Sequence, residues 1–308
     1  MVDKINRMAF GDRLSIALEK NQTPLCVGID PHISLMPELF RGPNPKEQIK
    51  KLASFSLACI EAAQDRVPAI KPQVALFEKF GPEGMEVLQR IGRAAHDAGL
   101  LVIMDAKRGD IGSTSIAYAD AWLSENAPFY ADALTVNPFL GLDTLEPFIN
   151  EAIRCNAGLF ILLRTSNPGS ADLQELRSDN KPIYQHLADK LSPIINSYRG
   201  DTGWSSIGVV IGATNPAEAK SMRALIPSCP FLIPGFGAQG ADASMALCGL
   251  THVNSDLGYQ GGLVTSSREI TFGNNAKTAS TTIEYISAVV QNIDESIKKL
   301  RLDRSFCT

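Results

Sequence analysis

Short apolar runs rich in Val, Ile and Leu recur along this chain, and longer stretches of helical periodicity separate them. A helical segment near Phe10–Lys20 opens the pattern. LCVGID, Leu25–Asp30, is the first predicted strand, broken by Pro31, and a long amphipathic helix follows over roughly Pro45–Arg66. VPAIKPQ is the second strand, with Lys71 at its end, and the turn at Gly81–Gly84 opens another helix. LLVIMDAKR is the third strand, ALTVNP (Ala133–Pro138) the fourth and LFILLRTSN (Leu159–Asn167) the fifth. IGVVIGAT, FLIPGFG and GGLVTSSR supply the sixth to eighth, and Thr278–Leu300 is a closing helix. The connection Ser170–Trp204 is longer and more polar than the others, with a helix expected over PIYQHLADKLSPIINSY.

Eight short strands alternating with helices require a parallel sheet covered by helices. A closed (β/α)8 TIM barrel, one α/β domain over residues 1–308, fits the count and the length. A doubly wound open sheet is the competing architecture. It normally carries a glycine fingerprint after its first strand, where this chain has Asp30-Pro31-His32.

Composition narrows the function classes. A net charge of -4 and the lack of any long basic run argue against a nucleic-acid partner. The apolar runs are too short to span a membrane, and the N-terminus MVDKINRMAF has no signal-peptide core. The six cysteines are scattered without a CxxC pair, as expected of packing thiols in a cytoplasmic protein. The four histidines are dispersed, so no metal-ligand spacing is visible: His32 can approach a ligand, and His96, His186 and His252 are expected at the surface.

In a barrel, the C-terminal strand ends and the loops after them form the active site. Read in order, they supply Asp30, Lys71, Asp105 with Lys107 and Asp110, and Asn137. Thr165-Ser166-Asn167, Thr214-Asn215, Gly235–Gly240 with Gln239, and Ser266-Ser267-Arg268 follow. Asp105 and Lys107 are two apart on a strand and share a face, while Asp110 lies past Gly109 on a loop. Arg108 is out of phase and is expected to meet the helices or a subunit contact. A salt-bridge network plugging the barrel mouth would also explain the cluster, but paired acids and lysines beside a phosphate site favour catalysis. PGFGAQG offers small residues whose N–H groups can approach an anion, and Arg268 can fork onto phosphate oxygens. A Schiff-base lysine needs a lowered pKa, which neighbouring carboxylates oppose.

The motifs CVGIDPH, AIKPQVALFE, DAKRGDIGSTSIAYA, TVNPFLG, TSNPGS, GVVIGAT and PGFGAQG follow one another from Cys26 to Gly240. With Ser267-Arg268 behind them, the chain resembles the orotidine 5′-phosphate decarboxylase family, in its longer bacterial-type branch. The resemblance implies a (β/α)8 homodimer without metal or organic cofactor, converting orotidine 5′-phosphate to uridine 5′-phosphate and CO2. It implies that Lys71, Asp105, Lys107 and Asp110 form the charged array, with Asp110 entering the partner's site beside Ile111 and Thr114. Asp30 and Lys71 would hold ribose hydroxyls, Ser166 the pyrimidine edge, Pro234 the base pocket, and Gln239 with Arg268 the phosphate. Two rivals share parts of the pattern. One is a Mg²⁺-dependent sugar-phosphate decarboxylase or aldolase on the same barrel, which carries a Glu where Lys71 stands. The other is a non-catalytic nucleotide-phosphate sensor, which has no need of the lysine–carboxylate alternation.

Overall fold

The structure is a computed structural model describing residues 8–237, 240–253 and 258–302. Eight parallel strands close into a barrel. They are β1 (Leu25–Ile29), β2 (Ala69–Pro72), β3 (Leu101–Arg108), β4 (Ala133–Val136), β5 (Gly158–Arg164), β6 (Ile207–Ile211), β7 (Phe231–Pro234) and β8 (Gly262–Ser266). Each pairs with the next in order, and β8 returns to β1 through Leu25 opposite Val264. The closed ring sets aside the open sheet. The strands are buried on both faces, which is why they read as continuous rather than alternating apolar runs.

Helices α1 (Phe10–Asn21), α2 (Pro45–Ala63), α3 (Gly81–Asp97), α4 (Gly112–Leu123), α5 (Glu146–Arg154), α6 (Ile183–Ser197), α7 (Pro216–Leu225), α8 (Ala243–Leu247) and α9 (Thr282–Leu302) complete the frame. Local chemistry sets several of their starts. Asn44 accepts from the Glu47 N–H at 3.0 Å ahead of Pro45, and Asp242 accepts from the Met245 N–H at 2.8 Å. Among the described residues no helix is long and apolar enough to cross a membrane. Cys26, Cys59 and Cys229 are free and buried, and burial pushes each thiol up to about 12.

Helix α1 closes the N-terminal end of the barrel. Phe10, Leu14 and Leu18 are buried among inward-facing Cys26, Ala69, Ile103, Ala133, Phe160, Val210, Leu232 and Leu263. The Phe10 ring meets Phe160 edge-on at 5.9 Å. It fits because position 158 is glycine: a β-carbon there would lie 2.2 Å from the ring. A polar network fixes the plug. Arg13 pairs with Asp132 and donates to the Asn156 carbonyl at 2.7 Å, while Asp12 accepts from the Thr202 N–H at 2.7 Å. His96, expected at the surface, is instead half-buried with its Nε2 2.9 Å from Asp132, which also accepts the Val102 N–H.

The Ser170–Trp204 connection holds a short helix at Ala171–Gln174, a two-stranded ribbon of Arg177–Ser178 with Lys181–Pro182, and α6. With the bottom sealed, the open end is the one where the strands finish. Phe10→Ala is expected to lower stability by about 3–5 kcal/mol through the cavity it leaves under Phe160. Urea unfolding measures this, and a loss under about 1 kcal/mol would show that the plug is not part of the core.

Candidate active site

The strand ends surround a cavity of about 1110 Å³, lined by residues from every barrel strand or the loop after it. At the end of β1, Asp30 lines this cavity. Its Oδ1 is buried and finds no hydrogen-bond partner among the described residues, which leaves an acceptor open to a ligand hydroxyl. On β2, Lys71 is buried and donates to Asp105 Oδ2 at 2.8 Å.

Asp105 is the centre of the array. It accepts from Lys71, from Gln73 Nε2 at 3.2 Å, from Thr135 Oγ1 at 3.1 Å and from Lys107 Nζ at 2.5 Å. Burial on its own would push the carboxyl up; the charges and hydrogen bonds of Lys71 and Lys107 outweigh it and hold Asp105 well below the usual carboxylate range. Burial likewise works against the Lys71 ammonium, but Asp105 and Asp30 raise it above the ordinary lysine value. Lys107 is half-exposed to the cavity, so its ammonium faces both Asp105 and whatever enters. Its backbone is left-handed, with φ at 48°, an uncommon conformation for a residue with a side chain.

Arg108 turns away from the cavity, toward the helices, as expected. It pairs with Glu78 and lies over the rings of Tyr118 and Trp122 on α4. Beyond Gly109, the Asp110 carboxylate accepts only the Ile111 N–H at 2.8 Å among its described bonds. Asp110, Ile111 and Thr114 do not line the cavity of their own chain, and Ile111 and Thr114 are exposed.

On the opposite side, Ser166 follows β5 and Pro234 ends β7, both in the cavity wall. Ser166 packs so closely on Gly212 that a β-carbon there would lie 2.7 Å from its own. Arg164, at the end of β5, holds the long connection over this wall. Its guanidinium donates to Glu218 and to Ser170, each at 2.6 Å, pairs with Glu175, and lies over Tyr184. The apolar side chains Leu173, Leu176, Ile183 and Leu187 extend the cavity beyond Ser166.

Gly235 and Gly237 follow β7 with φ of 113° and 80°. At Gly237 the positive φ is what favours glycine; the Glu269 carboxylate also comes within 1.7 Å of where a β-carbon would lie, but as the end of a flexible side chain it can shift. Arg268 is exposed at the cavity rim beside it, after β8. Gln239 lies outside the described residues. His32 does not line the cavity, and among the described residues no His, Cys, Asp or Glu group is gathered to hold a metal ion.

Two residues that sequence reasoning passed over belong to the array. Gln73 stands two positions after Lys71 and shares its face, a signal that was legible. Thr135 reaches Asp105 only through the β3–β4 pairing, which no local pattern reveals.

Comparison with known proteins agrees with this geometry. Residues 23–282 match the model of the Orotidine 5′-phosphate decarboxylase / HUMPS family. The orotidine 5′-phosphate decarboxylase of Rhodopirellula baltica is 39% identical over 281 residues, covering 89% of this chain and 91% of that protein. The enzyme of the same name from Streptomyces coelicolor is 44% identical over 233 residues, covering 75% and 80%. The solved structure of the Leishmania donovani OMP decarboxylase superposes with a TM-score of 0.71 at 31% identity, covering 96% of this chain and 100% of that one.

The ionisation of the buried pair fixes the sign of its pH dependence. Asp105 is depressed, so its stabilisation is fully present above the ordinary carboxylate range and is lost as pH falls toward the depressed value. Lys71 is raised, so its contribution holds below the ordinary lysine value and is lost as pH rises through the raised one. Asp105→Asn strands the Lys71 ammonium and is expected to lower stability by about 3–5 kcal/mol at neutral pH. The deficit should shrink in acid, where the unfolded parent chain takes up a proton at Asp105 that the folded protein does not. Urea unfolding at neutral and acid pH checks both points; equal stability of parent and variant at neutral pH would contradict the assignment.

Proposed function

The chain belongs to the orotidine 5′-phosphate decarboxylase / HUMPS family and is a carboxy-lyase acting on orotidine 5′-phosphate, and from that premise we propose how its residues carry the reaction. The observation that carries the proposal is Asp105 gripped between two ammonium groups, Lys71 at 2.8 Å and Lys107 at 2.5 Å, on a cavity wall. Loss of CO2 from C6 of the pyrimidine leaves an electron pair on a ring carbon with little intrinsic stabilisation. Lys107 lies against that carbon: its ammonium stabilises the developing charge and then transfers a proton to C6, giving uridine 5′-phosphate. The resulting amine regains its proton from solvent.

Asp105 faces the departing carboxylate. Two like charges at 4 Å and an effective dielectric of ~20 repel by about 4 kcal/mol, a repulsion relieved as CO2 leaves. Its larger service is to hold both ammonium groups in place, since preorganised charge supplies most of such catalysis. Lys71 and Asp30 take the ribose hydroxyls; the open Oδ1 of Asp30 supports this, because it is an acceptor awaiting a donor. Ser166 meets the pyrimidine edge and Pro234 packs on the base. Arg268 takes the phosphate beside the Gly235–Gly237 turn, and Gln239 is assigned to it by the family resemblance. Binding energy gained at the phosphate then assists a reacting centre at the far side of the pocket.

A metal-assisted reaction at this site is disfavoured by Lys71, whose buried ammonium repels a divalent cation from Asp105. A sensor of nucleotide phosphates would have no use for an array this expensive to desolvate. The working unit we propose is a homodimer, in which Asp110 reaches the neighbouring subunit's cavity with Ile111 and Thr114. Its support is the position of the Asp110 carboxylate off its own cavity and the exposed apolar side chains around it: Ile111, Ile116, Phe139 and Leu140 are between 52% and 75% exposed. The free buried thiols support a reducing, cytoplasmic setting.

Two measurements test these assignments. Chelator-treated protein is expected to consume orotidine 5′-phosphate at its full rate, followed by loss of orotate absorbance; turnover that appears only with Mg²⁺ would sink the metal-free mechanism. Mixing inactive Asp110→Ala and Lys107→Ala subunits should restore about a quarter of the parent activity, since random pairing makes half the dimers mixed, each with one intact site. No recovery in verified mixed dimers would refute the shared site.

A further inference from the structure

The pairing of β3 with β4 is irregular where the array sits. Ile103 and Met104 stand opposite Ala133 and Leu134, but the next matched pair is Arg108 with Val136. Asp105, Ala106 and Lys107 therefore face a single residue, Thr135, across a bulge. The bulge puts Lys107 into the left-handed conformation and takes its N–H out of the regular ladder. That N–H donates instead to the Thr135 hydroxyl at 2.8 Å. With one role filled as acceptor, the hydroxyl spends its own proton on Asp105 Oδ1, 3.1 Å away. The same carboxylate oxygen accepts from Lys107 Nζ. Thr135 is 1% exposed, so its hydroxyl is satisfied by these protein groups.

We propose that Thr135 is a positioning residue for the decarboxylation, fixing the Lys107 backbone and the Asp105 carboxylate relative to each other through one hydroxyl. The inference rests on Lys107 as proton donor, and it concerns geometry rather than substrate contact. Two groups of the array converge on this one side chain, the Lys107 amide and the Asp105 carboxylate, and that carboxylate in turn holds the Lys107 ammonium. A bulged strand has several ways to relax, and the hydroxyl selects the one that returns the Lys107 side chain to the Asp105 face. Serine keeps the donor and acceptor. Valine keeps the β-branched shape, which suits a buried strand position, and loses both bonds.

Thr135→Val is expected to lower kcat by roughly a hundredfold, as a misplacement of about 1 Å in a reacting group does, with KM changed less than about threefold. Thr135→Ser should recover kcat to within about threefold of the parent, a rescue that simple repacking would not give. A loss in kcat of less than about tenfold for Thr135→Val overturns the proposal, and so does a loss that Thr135→Ser fails to restore. If Thr135→Val does not fold by circular dichroism, Thr135→Ala is compared with Thr135→Ser on the same scale. Parent protein measured in the same assay separates the two levels of inference. An inactive parent refutes the underlying reading of the site, whereas an active parent with an unaffected valine variant refutes the role of Thr135 alone.

Discussion

Asp105 is withdrawn from water at the mouth of the barrel and remains ionised because Lys71 and Lys107 close on it from two sides. A buried carboxylate without such partners would take up a proton, and a buried lysine without the carboxylate would shed one. Each group therefore sets the charge state of the other. The arrangement demands a scaffold that holds strand ends within hydrogen-bond reach of one another, and the barrel supplies it. β2 and β3 are paired through Ala69 with Leu101 and Ile70 with Val102, and a bridge between Gln73 and Asp105 continues the contact into the site. The plug of α1 seals the far end with buried apolar side chains packed beneath the array.

Rigidity here is maintained against local strain. A left-handed non-glycine residue costs of order 1–3 kcal/mol and persists only where its surroundings over-determine it. Lys107 is over-determined: the Thr135 hydroxyl holds its amide, Asp105 holds its ammonium, and Arg108 after it is fixed by Glu78 and two aromatic rings. On the other wall Arg164 plays a comparable part, drawing Ser170, Glu175 and Glu218 together around the loop that carries Ser166. Charge is thus fixed in advance on the β3 side, while the β5 side is held by a clamp on the long connection after it.

Much of this was legible from residue order. Buried parallel strands must be apolar on both faces, so the Val, Ile and Leu runs marked all eight, with ends misplaced by a few residues where strand gave way to loop, as at Pro138 and Asn167. Asp105 and Lys107 do meet, as their spacing predicts, and Arg108 does turn toward the helices. Strand alternation ends at the bulge, however, so the left-handed Lys107 backbone rather than a regular period of two brings the pair together. The remainder depends on pairing across the chain. Thr135 lies 28 residues from Lys107, and nothing near either announces the bulge that joins them. His96 meets Asp132 for the same reason, through the packing of α3 beside β3 and β4. The Arg164 clamp joins β5 to Glu175 and Glu218, which lie 11 and 54 residues further along the chain.

In the proposed reaction the Lys107 ammonium, held by Asp105, stabilises and protonates the carbanion at C6. Turnover of orotidine 5′-phosphate by Lys107→Ala, measured beside calorimetric binding of uridine 5′-phosphate, tests it most directly. The expected result is a fall in kcat of at least about 10²–10³-fold with product affinity kept within about tenfold. Decarboxylation near the parent rate by a variant that still binds the nucleotide would contradict it.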